Sequence, residues 1–393
     1  MTQAPSPYPS LAFNLRVDAV VMGGGITGIT AAYLIKKAGC TVALVEPQRC
    51  AMSGAGWPTV HATAVPHGGM AKLVDGLGPE TAKAVWEAGF AAIARIRANV
   101  RDERINCQFG WASVCRYGSP TTEPSVARAA LWREATIAAS LGIDVVELDT
   151  IRGLGAPGLL FEGQARFQTA SYLTVLADRI PGGGSYVFED TVIDAVDGHR
   201  PFIIRCGDYR MTADHLVVTT PLAGLAVRGL ALTALAARVR TVHRAVASGT
   251  TDRSDLAEGL YWEHGATAGE SLIVERSQPR LDVRLEGMRD AAGRDASAGL
   301  ARRLCERVPG VRLTHRWSGP SEEPVDDLPY IGSFAPRQFV AAGLGPNEAT
   351  FGTLAGMMAA DAVSGKISPW RDRFSVDRGA RAREASLPAA SSA

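Results

Sequence analysis

The stretch Val20–Glu46 reads VVMGGGITGITAAYLIKKAGCTVALVE and sets the fold of the chain. Its first residues continue an apolar run typical of a buried parallel strand, and Gly23, Gly25 and Gly28 follow in the order G-x-G-x-x-G. Apolar residues then recur at helical spacing, and a second apolar strand ends at the acid Glu46. Strand, glycine turn, helix, strand and acid in this order predict a Rossmann-type βαβ unit that binds a dinucleotide.

Each part of this unit has a physical role in holding a pyrophosphate. Gly23 permits the tight turn, Gly25 lets the backbone approach the phosphates, and Gly28 lets the helix pack closely on the strand. The helix N-terminus presents unpaired N–H groups and the positive end of its dipole. Glu46 lies 18 residues after Gly28, where a carboxylate accepts hydrogen bonds from both ribose hydroxyls and repels a 2′-phosphate. The unit therefore predicts FAD or NAD rather than NADP.

The composition of the chain argues against several other classes of protein. Its 393 residues are enough for two domains with substantial cores. The 41 Lys and Arg residues nearly balance the 40 Asp and Glu residues, so no basic surface indicates a nucleic-acid partner. The six cysteines have no C-x-x-C spacing, no apolar run reaches about 18 residues, and the N-terminus does not resemble a secretory leader. We therefore expect a cytoplasmic protein with no metal site and no transmembrane segment.

After this unit the chain alternates predicted helices and strands, and residues 221–310 then show a different pattern of strands. Apolar periodicity predicts two helices within Met70–Val100, divided at Gly78–Pro79, and a buried strand, His215–Thr219, that returns to the dinucleotide-binding sheet. Further helices are predicted over Pro124–Leu141, Thr169–Ile180 and Thr350–Ser364. Within residues 221–310 the strands look antiparallel, which is typical of a second domain inserted into the first. The charged stretch Arg284–Asp295 is interpreted as a solvated turn.

A strand, a glycine turn and a helix occur again late in the chain. The turn Gly343–Gly345 follows the short strand Gln338–Ala342 and precedes the helix predicted from Thr350. A second helix N-terminus would thus approach the same cofactor. No second nucleotide fingerprint is present in the sequence, so the pattern favours FAD over NAD.

Four segments carry a resemblance to a known family. They are the fingerprint ending at Glu46, ARFQTASYLTVLA (165–177), WSGPSEEPVDDLPYIG (317–332), and GLGPNEATFGTLAG (343–356) with its closing PWRDRFSVDR (369–378). Together they resemble the D-amino acid oxidase superfamily of FAD-dependent oxidoreductases, which includes glycine oxidase, sarcosine oxidase and γ-glutamylputrescine oxidase. The resemblance implies an α/β fold with a discontinuous, Rossmann-like FAD-binding domain and an inserted substrate domain built on a mixed, largely antiparallel sheet.

The resemblance also implies the domain boundaries. The FAD-binding domain is expected to comprise residues 15–80, 150–220 and 320–378, and the substrate domain residues 81–149 and 221–319. Residues 1–14, which are rich in Pro and Ser, and residues 379–393, which are poor in bulky apolar side chains, are expected to be disordered.

The cofactor contacts also follow from the resemblance. It implies that Gly23, Gly25 and Gly28 hold the pyrophosphate, that Glu46 holds the adenosine ribose, and that the Val192 backbone lies beside adenine. It further implies that Gly343, Gly345 and the helix N-terminus near Thr350 face the C2 carbonyl of the isoalloxazine. Thr59 belongs to the loop Pro47–Gly69, which we expect to wrap the flavin.

The flavin is expected to be bound non-covalently. Sarcosine oxidases attach FAD through a cysteine shortly before the terminal glycine loop, and no cysteine lies between His315 and Gly343. The alternative is covalent attachment at His61, because Trp57–His61 loosely resembles the attachment motif of dimethylglycine dehydrogenase relatives.

The resemblance implies oxidation of an amine or amino acid C–N bond, with hydride transfer to flavin N5, an imine product and reoxidation by O2 to give H2O2. Candidate catalytic residues are Glu348, Arg276, Trp262 and Tyr330, with Arg244 as a further anchor. Glu348, Arg276 and Asp327 stand where relatives commonly have glycine. Two alternatives remain open: a dehydrogenase that passes electrons to a protein or quinone, and a flavoprotein subunit of a hetero-oligomer with a binding or electron-relay role.

Overall fold

The computed structural model describes residues 8–51, 60–119, 122–222, 225–264, 270–277, 279–289 and 296–378. Its strands are, in chain order, β1 (Leu15–Met22), β2 (Val42–Val45), β3 (Val60–Ala62), β4 (Gly110–Gly118), β5 (Val146–Leu148), β6 (Gly158–Phe167), β7 (Tyr186–Phe188), β8 (Ala195–Asp197), β9 (Phe202–Cys206), β10 (Tyr209–Val218), β11 (Val239–Thr251), β12 (Gly259–His264), β13 (Ser271–Ser277), β14 (Arg280–Arg289), β15 (Arg312–Pro324), β16 (Tyr330–Ala335) and β17 (Gln338–Ala342). Its helices are α1 (Ile26–Lys37), α2 (Met70–Leu77), α3 (Pro79–Asp102), α4 (Pro124–Ser140), α5 (Thr169–Asp178), α6 (Thr233–Ala236), α7 (Ala296–Arg307) and α8 (Glu348–Val363).

The first sheet has the strand order β16-β17-β10-β1-β2-β7. Strands β17, β10, β1, β2 and β7 run parallel, while β16 and β9 pair antiparallel with β17 and β10. A parallel strand buried on both faces reads as a continuous apolar run, and every residue of β2 is buried. The predicted Rossmann-like sheet is therefore confirmed, including the return of His215–Thr219 to a position beside β1.

The second sheet has the order β15-β11-β14-β13-β12-β4-β6-β3, with β5 on β6. Strands β12 and β4 pair in parallel, and the other pairings in this sheet are antiparallel. The mixed, largely antiparallel character predicted for this sheet is confirmed. It includes β3, β6 and the end of β15, which the predicted boundaries assign to the FAD-binding domain. Sheet membership alone does not define folding units, so those boundaries stay a prediction.

Helices α1 and α8 pack side by side with their N-termini at the same end. A Cβ on Gly352 would lie 2.8 Å from Ile26 Cγ2, and one on Gly356 would lie 2.7 Å from the Cβ of Thr30. Residue numbers rise in the same direction along both helices at this contact, so the helices run parallel. Only residues without a Cβ allow the two backbones to come this close.

The structure bears out the predicted helices and corrects one predicted loop. Helices α2 and α3 are divided at Gly78, whose φ of +83° suits glycine. The charged stretch Arg284–Asp295, interpreted as a turn, begins instead inside β14, where Arg284 and Glu286 are buried. They pair with one another there, which offsets the cost of burying charge. Residues 290–295 lie outside the part of the chain that the structure describes.

Of the segment 1–14, expected to be disordered, residues 8–14 are described, and Leu11 is buried with its N–H donating to Thr191 Oγ1 at 3.0 Å. Residues 379–393 lie outside the described part. Among the residues that are described, no helix combines the length and apolarity needed to cross a bilayer.

Candidate active site

A cleft of about 370 Å³ opens where the parallel strands of the first sheet end. Gly23 follows β1, Glu46 follows β2, Thr219 follows β10 and Gly343 follows β17, and all four residues line the cleft. Ligands of open α/β sheets bind in the crevice at the carboxyl ends of the strands. The cleft also includes Gly25, Gly345 and Glu348, so five of the residues predicted to contact the cofactor lie together: Gly23, Gly25, Glu46, Gly343 and Gly345.

Two helix N-termini border this cleft. Helix α1 begins after Gly25, which has no side chain to cap it. Helix α8 begins after Asn347, whose side chain is used elsewhere: Oδ1 accepts from the N–H of His67 at 3.0 Å, and Nδ2 donates to the carbonyl of Val65 at 2.9 Å. The first turn of α1 thus keeps N–H groups available to an anion, whereas α8 continues directly from a 3-10 turn, Gly345–Asn347.

An unsatisfied hydroxyl lies at the same place. Thr27 Oγ1, in the first turn of α1, is buried at the cleft and has no hydrogen-bond partner among the described residues. A buried polar atom without a partner is rare in folded proteins. This hydroxyl lies at the contact with α8, where a Cβ on Gly352 would be 2.8 Å from it. The donors that fit the pyrophosphate of FAD are the uncapped N–H groups of the first turn of α1.

Glu46 is held in place at the rim by backbone donors. Its Oε2 accepts from the N–H of Gly24 at 2.7 Å and its Oε1 from the N–H of Gln48 at 3.0 Å. Burial raises the pKa of this carboxyl, and the two N–H groups partly offset that effect. A fixed acceptor beside the glycine turn matches the predicted contact with a ribose.

Gly28 fills the role that the sequence predicts for it. A Cβ at this position would lie 1.8 Å from the carbonyl oxygen of Gly23, far inside van der Waals contact. Any side chain here would force α1 away from β1 and so displace the helix N-terminus from the cleft.

Two further predicted cofactor residues, Val192 and Thr350, do not line the cleft. Val192 has 59% of its surface exposed and does not line the cleft. Thr350 is buried and bonds through Oγ1 to the backbone N–H and C=O of Thr63, at 2.7 and 3.0 Å, so it ties α8 to the chain after β3. Thr59 and Trp57 lie outside the described residues.

A second, smaller cavity of about 60 Å³ adjoins the cleft. Ile26 and Glu348 line both spaces. One wall comes from the strands β3, β11, β12, β13 and β14 of the second sheet, and the other from the starts of α1, α5 and α8. Its lining residues are Ile26, Val60, His61, Thr169, Arg244, Leu260, Trp262, Ser271, Ile273, Arg284, Glu286, Pro346, Glu348 and Ala349.

A buried ion-pair cluster forms part of this small cavity. Glu286 Oε1 accepts from Arg284 Nε at 2.8 Å, and Glu286 Oε2 accepts from Arg244 Nη2. Burial favours the neutral form of Glu286, but the two guanidiniums outweigh it and lower the pKa of the carboxyl. Two cations and one anion leave this cluster with a positive charge.

Sequence reasoning identified Arg244 but missed Arg284 and Glu286. A signal was present, because Leu281, Val283 and Leu285 alternate with polar residues and all three are buried. That period of two is typical of a strand.

His61 and Thr169 bring unpaired polar atoms to the cavity. Both ring nitrogens of His61 and the hydroxyl of Thr169 are buried and have no hydrogen-bond partner within the described chain. Burial, together with the charges of Arg284 and Arg166, lowers the pKa of His61 to about 3. The imidazole is therefore neutral at neutral pH and has one N–H donor and one acceptor to offer a ligand.

The four candidate catalytic residues divide into two groups. Trp262 is buried in the small cavity, with its ring edge-on to His67 at 5.2 Å, and Glu348 lies at the opening to the cleft. Arg276 lies at an exposed position on β13 beside Glu258, and its side chain is 61% exposed. Tyr330 is fully buried in the core, with Arg378 3.7 Å from its ring centroid. Neither Arg276 nor Tyr330 lines either cavity.

The described residues offer no metal site that competes with this interpretation. Among them, no group of three or more His, Cys, Asp or Glu side chains is placed to hold a metal ion.

Comparisons with known proteins agree with the geometry. Residues 18–362 match the family model DAO, described as FAD dependent oxidoreductase. The putative Rieske 2Fe-2S iron-sulfur protein YhfW of Bacillus subtilis is 25% identical, over 96% of this chain and 74% of that protein.

Solved structures of low identity share the fold. Glycine oxidase from Geobacillus kaustophilus superposes with a TM-score of 0.72 at 20% identity, covering 92% of this chain and 99% of that one. L-proline dehydrogenase from P. horikoshii gives a TM-score of 0.70 at 14% identity, covering 96% and 99%. With the family match spanning most of the chain, the protein belongs to the DAO family of FAD-dependent oxidoreductases and is an enzyme whose cofactor is FAD.

Proposed function

We propose that this enzyme oxidises the C–N bond of a small amino acid to an imine, which then hydrolyses. When bound, FAD supplies the hydride acceptor at N5 and passes the electrons to O2, giving H2O2. The observation that carries the proposal is the small cavity with Arg244 in its wall, which adjoins the cofactor cleft at Ile26 and Glu348.

Arg244 is the proposed anchor for a substrate carboxylate. Its guanidinium belongs to a cluster with an excess positive charge, formed with Arg284 and Glu286. A planar guanidinium suits a carboxylate and fixes its orientation. Held at this end, the substrate has its reacting carbon directed towards the opening to the cleft, and such positioning accounts for much of the rate of a bimolecular reaction.

The other walls keep water from the reacting carbon. Leu260, Trp262 and Ile273 line the cavity as buried apolar side chains. His61 is neutral and supplies a hydrogen bond without adding charge. The small volume selects against long substrate side chains.

An anaerobic screen tests the proposed function. Small D- and L-amino acids and simple amines are mixed with the flavin-loaded enzyme in the absence of oxygen, and the visible flavin absorbance is followed. We expect bleaching by at least one small amino acid. Unchanged absorbance with every compound would overturn the proposal.

Non-covalent FAD is a prediction of the same arrangement. His61 lines the small cavity and not the cleft where the dinucleotide contacts lie. Precipitation of the holoenzyme with acid should therefore leave the flavin in the supernatant. Flavin retained in the pellet would indicate a covalent bond.

A second candidate function is a dehydrogenase that passes electrons to a protein acceptor. It is favoured by the similarity to the Bacillus subtilis relative, which is named as a putative iron-sulfur protein. Peroxide formed in air is compared with the reduction of an artificial acceptor. Stoichiometric peroxide supports the oxidase, and turnover that depends on the added acceptor supports the dehydrogenase.

A further inference from the structure

Glu348 lies between the two spaces of the site. It is the first residue of α8, and of the residues that line both the cleft and the small cavity it is the one that carries a charge. Burial raises the pKa of its carboxyl, and the charge of Arg244 acts in the opposite direction. A carboxyl in this setting takes up a proton more readily than an exposed glutamate does.

The charges around Glu348 come from several elements. Arg244 on β11 faces it, Arg284 and Glu286 extend from β14, and His61 lies on β3. Glu322 on β15 lies on the cleft side.

With His61 neutral, the two arginines and the two glutamates of the small cavity sum to zero. A cavity with balanced charges of both signs suits a ligand that is itself neutral overall but carries both charges. That description fits a zwitterionic amino acid better than a simple amine or a carboxylic acid.

We propose that Glu348 accepts the proton of the substrate ammonium group while Arg244 holds the substrate carboxylate. The proposal rests on the proposed function and specifies its substrate class, a small amino acid bound as the zwitterion. One N–H bond of the ammonium breaks, its electron pair stays on nitrogen, and the proton forms an O–H bond on the Glu348 carboxylate. The freed electron pair then forms the C=N bond as the carbon loses its hydride.

This step is needed because an ammonium group has no electron pair to give. The N-terminal amine of a peptide has a pKa near 8, and the carboxylate of a free amino acid raises that of its own ammonium group further, so at pH 7 far less than about a tenth of the substrate is neutral. A carboxylate in the cavity binds the abundant charged form and converts it on the enzyme.

Acetate binding tests the placement of Glu348 without turnover. Acetate is titrated into the flavin-loaded enzyme at pH 9 while the flavin absorbance is followed, for wild type, E348Q, E348G and D361N. Asp361 is on the same helix but lines neither cavity, so D361N controls for the loss of one charge. E348Q and E348G should bind acetate about tenfold or more tightly than wild type, because an ionised Glu348 repels a carboxylate held at Arg244. Equal affinity in all four proteins would overturn the proposal.

The pH dependence of flavin reduction tests the proton transfer. With an amino acid that bleaches the wild-type flavin, the rate constant is measured anaerobically from pH 6 to 10. In E348Q and E348G it should fall about tenfold or more at pH 7 and recover towards the pKa of the substrate amine. Variants that retain the wild-type profile would refute the role of Glu348 and leave the proposed function intact. Failure of every amino acid to reduce wild-type flavin would refute the function itself.

Discussion

Arg244, Arg284 and Glu286 form a buried cluster in which two cations share one anion. Removing Arg244 leaves the carboxylate with one partner and takes away the excess charge. Both guanidiniums bond to Glu286, and the positive charge that exceeds the single carboxylate attracts an anionic ligand beside Arg244.

Replacing Arg244 should weaken the binding of carboxylates. In R244M, acetate affinity is expected to fall about 10- to 100-fold, the usual worth of a hydrogen bond to a charged group. R276M is the matched control, because Arg276 is exposed on β13 and lines neither cavity. Titration of the flavin absorbance gives both constants, and equal losses in the two variants would contradict the assignment of Arg244.

Asp327 holds a backbone conformation that favours glycine. Its φ is +60°, and its Oδ2 lies 2.5 Å from Lys72 Nζ. An exposed ion pair contributes about 0.2–1 kcal/mol, which is comparable to the cost of a left-handed residue.

At this position D327A should be the least stable protein, while D327G and the wild type should be close in stability because the lost pair and the relieved strain are comparable. Gly removes the strain, and Ala keeps the strain while losing the pair with Lys72. We expect about 1 kcal/mol or more between D327G and D327A, measured by urea denaturation of the FAD-saturated protein. K72A, which loses only the pair, is the control, and a less stable D327G than D327A would contradict the argument.

At the level of elements, the contact of α1 with α8 depends on two glycines. A Cβ at Gly356 meets the Cβ of Thr30 at 2.7 Å, and one at Gly352 meets Ile26. Because both N-termini border the cleft, any widening of this contact alters the site that receives the cofactor.

Gly356→Ala should destabilise the protein and weaken FAD binding. Forcing an extra methyl into a packed contact costs about 1–3 kcal/mol. Gly299→Ala is the matched control: Gly299 is also helical, on α7, and the nearest atom to its Cβ would be Arg303 Nη1 at 3.6 Å. In the control, the free energy of unfolding should rise by about 1 kcal/mol, because Ala favours a helix more than Gly does. Its FAD affinity should not change. Denaturation curves and flavin titration of the apoprotein measure both effects.

Features that depend on residues close together in the sequence could be predicted from it. Features that depend on a residue far along the chain could not. The fingerprint at Gly23–Gly28 and the helix break at Gly78 depend on neighbouring residues, so the sequence alone indicates them. The burial of Arg284 depends on Glu286 and on Arg244, which lies on a different strand. A charged residue whose partner is far along the chain looks like a solvated one.

For the whole molecule, three histidines make stability depend on pH: His61 is buried, and His67 and His264 are half-buried. Burial lowers the pKa of His61 and His67 to about 3 and that of His264 to about 4, with nearby arginines adding to the effect. Their ordinary value is near 6.5, so below that pH the unfolded chain binds protons that the folded chain does not.

The free energy of unfolding should therefore fall as the pH drops from 6.5 towards 4. Each histidine contributes up to about 1.4 kcal/mol per pH unit. The pKa of Glu348 is raised, so the folded chain binds this proton before the unfolded chain does as the pH falls. This offsets a part of the stability lost through the histidines. In H61Q the free energy of unfolding should change less steeply with pH, because the unfolded chain takes up one proton fewer. Urea denaturation at pH 7, 6 and 5 measures it, and a flat profile would contradict the assignment of neutral histidines.

The parallel pairing of α1 with α8 also bears on how the protein is made. One helix follows the glycine turn at Gly23–Gly28, and the other begins at Glu348, more than 300 residues later. A nascent chain still lacking Gly343–Glu348 has only one half of the cleft. The cofactor cleft is therefore complete only after Gly343–Glu348 has been synthesised, so FAD uptake reports that translation has passed the second glycine turn.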